Sequence, residues 1–195
     1  MNPQLPQLET ARTLSRLANH QDVLAILNYY RMNQAHLTPY EPSRPANFYT
    51  AAYWQQEVQA RVDDFAQGRS LRLFLFEKQY PKVIIGALNL NNIVHGVFQA
   101  CSLGYSLAAA KQGQGYMGEA LVALMRYGFE DLNLHRIMAA YMPRNHRSGN
   151  LLKRLGFQIE GVARDYVCIN GQWEDHILTS LVNPMPQCSG DTHAH

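Results

Sequence analysis

"KQGQGYMGEAL", residues 111–121, sets Gly113, Gly115 and Gly118 at the spacing G-x-G-x-x-G ahead of an amphipathic run. That spacing is the usual sign of a dinucleotide-binding turn, in which backbone N–H groups at a helix start hold a pyrophosphate. Such a turn makes three demands: a strand running straight into the first glycine, a unit that opens its domain, and a carboxylate ending the next strand to bind ribose. Here a strand-like run ends at Leu107, and residues 108–112 separate it from Gly113. The unit begins halfway along the chain, and the next apolar run ends in Pro143-Arg144-Asn145, without an acid. The dinucleotide reading fails. The physics of the loop survives it. Gly113 and Gly115 permit backbone conformations closed to other residues, and a helix start adds roughly half a positive charge. A pyrophosphate remains a candidate ligand, and a turn that merely starts a helix is the alternative.

The segments around the loop fall into a consistent order. Residues 8–18 read as a strand, and "HQDVLAILNYYRMN" (20–33) as a helix with Val23, Ile26, Leu27 and Tyr30 on one face. "LTPYEPSRP" (37–45), with three prolines in nine residues, must be irregular. A helix from about Phe48 to Gln67 follows, ended by Gly68. The runs 71–77, 83–91 and 97–107 are closely spaced and predict an antiparallel meander. Gly115–Leu132 is an amphipathic helix with Leu121, Leu124, Met125, Gly128, Phe129 and Leu132 on one face. "HRIMAAYM" (135–142) is a buried strand, and "RSGNLLKRLGF" (147–157) holds a short helix stopped at Gly156. Strands near 157–169 and 173–182 form a hairpin turned by Asn170-Gly171. The sum is an α/β (α+β) fold: a mixed sheet of six or seven strands, helices on both faces, a central β-α-β unit at 97–142 and a C-terminal hairpin. One domain is expected over residues 8–183, with 184–195 a frayed tail.

Composition bounds the function. The chain has 195 residues, 47% hydrophobic and 16% charged, enough for one full core. A formal charge of +2 does not suggest a dedicated nucleic-acid binder. Cys101, Cys168 and Cys188 have no metal-ligand spacing, and the first two, in apolar runs, read as buried reduced thiols. Eight histidines show no paired spacing, so no metal is expected. "MNPQLPQLET" (1–10) lacks a basic start and an apolar run, and no stretch approaches ~18 apolar residues. The expectation is a cytoplasmic protein with no membrane association.

A second cluster decides among the ligands. "YMPRNHRSGNLLKRLGF" (141–157) sets Asn145, a good N-cap, and Ser148 at the start of the last helix. Together with Gln112-Gly113-Gln114-Gly115-Tyr116-Met117, this resembles the Gcn5-related N-acetyltransferase (GNAT) superfamily, whose Gln/Arg-x-x-Gly-x-Gly/Ala stretch holds the pyrophosphate of acetyl-CoA. Met117 departs from the pattern, with Gly118 following one place later, but backbone N–H donation does not depend on that side chain. Asn145-x-x-Ser148, followed by Leu151-Leu152-x-x-Leu155-Gly156-Phe157, is similar to the family's second signature. The resemblance covers about residues 8–183. "ACSLGYSL" (100–107), "EGVARDY" (160–166) and "NGQWEDH" (170–176) narrow it to the RimJ-type ribosomal-protein-alanine N-acetyltransferases. Members acetylate a protein's N-terminal alanine, the best-known target being the fifth small-subunit ribosomal protein.

The resemblance implies acetyl-CoA as cosubstrate, no metal, and direct attack within a ternary complex, so Cys101 need not form an acyl-enzyme. It implies cofactor contacts from Tyr105, Ser106 and Leu107 on the strand before the loop. Further contacts come from Gln112, Gly113, Gln114, Gly115, Tyr116, Met117 and Gly118, and from Asn145 and Ser148. Many members protonate the leaving thiolate with a tyrosine seven residues after the motif asparagine. That position is Leu152 here, which can donate nothing; Ser148 is the nearest candidate donor, and the resemblance to related ribosomal-protein acetyltransferases with a serine there implies it as the acid. Asp165 is the candidate base, with Glu160 and Glu41 as alternatives; related enzymes carry a glutamate where this chain has Val167. An α-amine, with a pKa of roughly 7.7 to 8.0, needs only a weak base. Tyr40, Glu41, Trp54 and Tyr166 are the candidate acceptor-lining residues. Arg144, His146, Arg147, Lys153 and Arg154 are candidates for CoA phosphate, for RNA or for a solvated face. The implied partners are acetyl-CoA and the N terminus of a ribosomal protein, with ribosome or pre-ribosome contact a further option. The competing readings are an acetyltransferase of a small amine, amino acid or antibiotic, and a non-catalytic acyl-CoA-binding ribosome-assembly factor.

Overall fold

Strand β3 (Leu71–Glu77) is apolar almost throughout because helices cover it on both faces. Leu71, Leu73 and Leu75 enter one core, and Phe74 and Phe76 enter the other. The computed structural model describes residues 5–184 and builds one sheet around this strand. Its members are β1 (Gln7–Glu9), β2 (Thr13–Arg16), β3, β4 (Tyr80–Val94), β5 (Ala100–Leu107), β6 (Arg136–Tyr141), β7 (Gln158–Ile169) and β8 (Gln172–Val182). Their order is β1-β2-β3-β4-β5-β6-β8-β7, and every pairing is antiparallel except β5 with β6.

Among the described residues five α-helices flank the sheet: α1 (Val23–Met32), α2 (Gln34–Leu37), α3 (Ala51–Ala66), α4 (Tyr116–Glu130) and α5 (His146–Arg154). Leu121, Leu124 and Met125 of α4 and Leu152 of α5 pack on the leucine face of β3 and on Leu88, Leu90 and Leu103. On the opposite face, Ile26 and Tyr30 of α1 and Trp54 and Val58 of α3 pack on Phe74, Phe76 and Ala87. The parallel β5–α4–β6 unit sets the loop before α4 at the carboxyl end of β5, where open sheets of this kind bind ligands.

Six or seven strands are predicted from the sequence and eight form, because the first run folds back on itself. The Thr10 and Thr13 hydroxyls lie 2.6 Å apart, and the Thr13 N–H donates to Thr10 Oγ1 at 3.0 Å. This turn divides residues 7–16 into β1 and β2, paired as Glu9↔Leu14. The strand expected from residue 97 starts at Ala100, since Gln99 stands at φ +40° and breaks the extension. The helix expected from Phe48 starts at Ala51, where the Thr50 hydroxyl caps it by accepting from the Tyr53 N–H. Asn170 and Gly171 both have positive φ, +48° and +83°, the geometry of a type I′ hairpin turn. Cys101 is buried as expected, whereas Cys168 is only half-buried. Cys188 and all of the expected tail except Pro184 lie outside the described residues.

Candidate functional site

The site begins where two strands part. β5 pairs with β6 from Ala100↔Arg136 to Leu103↔Ala139, while β4 holds the other edge of β5 as far as Gly86↔Leu107. Among the described residues no strand pairs with 104–107 on the β6 side, so a wedge opens there. The Ala108 N–H donates to the Ile85 carbonyl on β4 at 2.8 Å. Alternation then turns the backbone groups of Tyr105 and Leu107 toward the wedge and those of Ser106 toward β4. An open strand edge of this kind receives extended chains that carry amide groups. Ser106 is a correction to the expected contact set: its backbone faces β4, and its hydroxyl is held by Tyr29 on α1 at 2.9 Å.

The glycine loop lies directly above this edge. Gly113 and Gly115 have φ of +74° and +83°, and Gly115 is the residue that starts α4. Intrahelical bonding begins with Glu119 N–H to Gly115 O at 3.1 Å. The N–H groups of Tyr116, Met117 and Gly118 therefore have no acceptor within the helix and sit at its positive pole. A Cβ on Gly113 would meet nothing within 4 Å, so the loop's outer surface is open. The side chains of Tyr116 and Met117 point elsewhere. Met117 is in the core, and the Tyr116 hydroxyl donates to buried Glu77 at 2.7 Å.

Charged side chains brace the loop. Arg12, in the β1–β2 turn, donates to the Gln114 carbonyl at 2.9 Å and to Glu119 at 2.8 Å, and covers the Tyr116 ring at 4.5 Å. Lys111 binds Glu77, and its hydrogen bond, with that of Tyr116, holds the Glu77 carboxyl below the usual carboxylate range. Gln112 bridges Arg147 of α5 and His36 of α2. A guanidinium can only donate, so the Gln112 oxygen faces Arg147 and its NH₂ faces His36 Nε2 at 2.9 Å. His36 Nε2 must then accept, which puts the ring proton on Nδ1.

The second signature forms the opposite wall. Asn145 caps α5 by accepting from the Ser148 N–H at 3.2 Å. Ser148 Oγ lies 2.7 Å from the Tyr105 hydroxyl, which reaches it from the open segment of β5. Burial pushes the Tyr105 phenol up to about 12, partly offset by its hydrogen bond to Ser148. Leu152, at the position where the family's tyrosine is common, is 1% exposed and fills the core. Cys101 is wholly buried, and burial pushes its thiol up to about 12, far from a thiolate nucleophile.

A cavity of about 290 Å³ lies between Thr38, Pro39, Arg144, Ile169, Asn170 and Glu174. Arg144, one residue before Asn145, spans it by pairing with Glu174 of β8 and donating to the Pro39 carbonyl at 3.4 Å. Tyr40 is exposed in the short 3₁₀ turn beside this wall. Tyr166 is also exposed, its ring 5.6 Å from that of His176. Trp54 is a correction. It is 1% exposed, stacked 5.3 Å from Tyr30 and edge-on to Phe48 and Phe74, so its ring cannot touch an acceptor. Glu41 is bound by Arg44, whose guanidinium lies 4.4 Å over Tyr30. Glu160 is held by Arg136 and Ser180 at the far end of β6, which removes it as a base. Asp165 stands at φ +47° in the bulge of β7 between Ala163↔His176 and Val167↔Glu174, its N–H donating to Asp175 Oδ1 at 3.0 Å. Among the described residues it forms no ion pair with Arg164 and no hydrogen bond to the Tyr105–Ser148 pair.

Sequence reasoning missed Arg12, His36 and the Tyr105 side chain. For Tyr105 a signal existed: alternation from Cys101 and Leu103 puts it on the face that the following helices must cover. Among the described residues no group of three or more His, Cys, Asp or Glu side chains could hold a metal ion, and no helix is long and apolar enough to cross a membrane.

Known proteins are similar to this chain in sequence and fold. A family model for the acetyltransferase (GNAT) domain matches residues 12–158. The ribosomal protein uS5-alanine N-acetyltransferase of Escherichia coli (strain K12) is 44% identical over 178 residues, covering 91% of each chain. The solved ribosomal-protein-S5-alanine acetyltransferase from Vibrio fischeri superposes with a TM-score of 0.87 at 39% identity, covering 92% of this chain and 97% of that one. Mycobacterium smegmatis RimJ in complex with CoA-disulfide superposes with a TM-score of 0.83 at 25% identity, covering 91% of this chain and 86% of that one.

Proposed function

The chain belongs to the acetyltransferase (GNAT) family, and from that premise we propose that it moves the acetyl group of acetyl-CoA to a protein's N-terminal α-amine, with the N-terminal alanine of a small-subunit ribosomal protein as acceptor. The observation that carries the reading is the wedge between β5 and β6, open from residue 104 to 107, with the glycine loop at its mouth and Ser148 on its far wall. Similarity over about nine-tenths of the chain to a uS5-alanine and an S5-alanine acetyltransferase supports the choice of acceptor.

Acetyl-CoA supplies an activated acyl group on a thiol leaving group. The loop N–H groups of residues 113–118 hold its pyrophosphate, and the open edge at Tyr105 and Leu107 takes the extended arm and polarises the acyl oxygen. As the amine forms its C–N bond the C–S bond breaks; the amine releases one proton to solvent, and CoA leaves as a thiolate that takes up a proton from solvent after departure. An α-amine of pKa roughly 7.7 to 8.0 is partly neutral at physiological pH, so solvent linked to exposed Asp165 suffices as proton acceptor. Ser148 donates a hydrogen bond to the leaving sulfur. A thiol of pKa about 8.5 is a far stronger acid than an alcohol, so the hydroxyl stabilises the thiolate without surrendering its proton. The N-terminal residues of the acceptor enter past Tyr40 and Tyr166, along the cavity at Arg144 and Glu174.

Thiol release from acetyl-CoA, measured with peptides that begin with alanine and with small amines, tests this. Peptide turnover is expected. Turnover of small amines alone would transfer the assignment to a small-molecule acceptor, and CoA binding without release would make the chain a binding protein.

A further inference from the structure

We propose that Tyr105 is a positioning residue for acetyl transfer: its hydroxyl donates to Ser148 Oγ and so aims the serine's own proton at the leaving sulfur. The inference rests on the role given to Ser148 above.

The geometry is specific. The Tyr105 hydroxyl lies 2.7 Å from Ser148 Oγ and 3.5 Å from the Ser148 carbonyl, two residues 43 positions apart on opposite walls of the wedge. A serine hydroxyl has one proton and two lone pairs, so if Tyr105 donates, the serine proton is free for another acceptor. If Ser148 donated to Tyr105, that proton would be unavailable to the sulfur. The phenol is the stronger acid of the two. Burial raises its pKa, so it keeps its proton through the neutral range and acts as a fixed donor. Among the described residues Tyr105 is the one hydrogen-bond partner of the Ser148 hydroxyl, since Asn145 accepts from the Ser148 N–H and leaves the hydroxyl alone. Without Tyr105, the Ser148 hydroxyl loses the hydrogen-bond partner that fixes its rotor. Burial raises the phenol to about 12, above the roughly 8.5 of an ordinary thiol, so proton transfer from Tyr105 to the thiolate runs uphill. The role is orientation, with no proton leaving the phenol.

A double-mutant cycle tests it, with acetyl-CoA and an alanine-initiated peptide both saturating. Tyr105→Phe should lower kcat roughly tenfold and leave the KM for acetyl-CoA within about twofold. Ser148→Ala should lower kcat by ~10²-fold, and the double variant should be no slower than Ser148→Ala. An independent readout is the thiol pKa of CoA in the binary complex, followed by the ultraviolet absorbance of the thiolate. It should rise in each single variant and rise no further in the double. If Tyr105→Phe does not fold, 3-fluorotyrosine at 105, a stronger donor of the same shape, should lower that pKa. Multiplying losses, a wild-type rate in Tyr105→Phe, or an unmoved thiol pKa overturns the proposal while Ser148 keeps its role. A wild-type rate in Ser148→Ala removes both. If no amine is turned over at all, the acetyltransferase reading fails, and the thiol pKa alone decides the role of Tyr105.

Discussion

Gly115 stands at φ +83° at the start of α4, and a Cβ there would lie 3.3 Å from the Arg12 guanidinium. A β-branched side chain pays twice at this position. The left-handed conformation costs it about 1–2 kcal/mol, and its methyl groups occupy space that a phosphate needs beside the loop N–H groups. Gly115→Val should therefore weaken acetyl-CoA binding at least ~10-fold in calorimetry while the rest of the fold persists. Gly118 provides the contrast. A Cβ there would meet Leu151 at 3.6 Å, an ordinary contact, and its N–H would be retained. Gly118→Ala should leave affinity within about twofold. Equal losses in the two variants would mean that the loop does not hold phosphate. Of the three glycines that invite a dinucleotide reading, Gly113 and Gly115 shape the turn, and Gly118 lies in the first turn of α4 facing α5.

At the scale of elements, the open edge depends on how closely β4 supports β5. A Cβ on Gly86 would sit 2.6 Å from the Ser106 carbonyl, so only glycine allows β4 to hold β5 out to Leu107. Gly86→Ala must move that carbonyl. It should cost about 1–3 kcal/mol in urea unfolding and raise the KM for acetyl-CoA more than it lowers kcat. A wild-type KM would show that the edge does not depend on this contact. The elements themselves were largely legible in the residues. α4 carries a clean apolar stripe, β3 is a short apolar run, and Asn170-Gly171 demands its hairpin. The β1–β2 turn was hidden because two threonine hydroxyls close it, with no glycine or proline to mark it. The start of β5 was hidden because Gln99 leaves the extended region, and its carbonyl accepts from the N–H groups of His135 and Arg136. The site divides in the same way. The loop and the Asn145 cap are local patterns, whereas Tyr105 with Ser148 and Arg12 with Glu119 join residues 43 and 107 positions apart. Such pairs depend on sheet register and on helix placement, which periodicity alone does not set.

Across the whole molecule, a charge cluster ties the first half of the sheet to the glycine loop. Glu77 ends β3 at 7% exposure, and its two oxygens receive Lys111 at 2.5 Å and Tyr116 at 2.7 Å, on either side of the glycines. Arg12, from the β1–β2 turn, covers the same Tyr116 ring. The hydrogen bonds from Lys111 and then Tyr116 lower the Glu77 pKa below its ordinary 4.5. A carboxyl whose pKa is lower when folded releases its proton more readily in the native state, so the unfolded chain binds more protons in that window. Its stabilisation is complete above about pH 5.5, declines as pH falls through 4.5, and is gone below the lowered folded value. Glu77→Gln cannot titrate. It should be less stable than the wild type by about 1–3 kcal/mol at neutral pH, with the two urea midpoints converging as pH falls toward 3. Because the partners of Glu77 flank the loop, acetyl-CoA affinity should weaken over the same window in the wild type and stay nearly level in the variant. A stability gap that is constant from neutral pH to about pH 3 would show that the Glu77 charge does not couple the sheet to the loop.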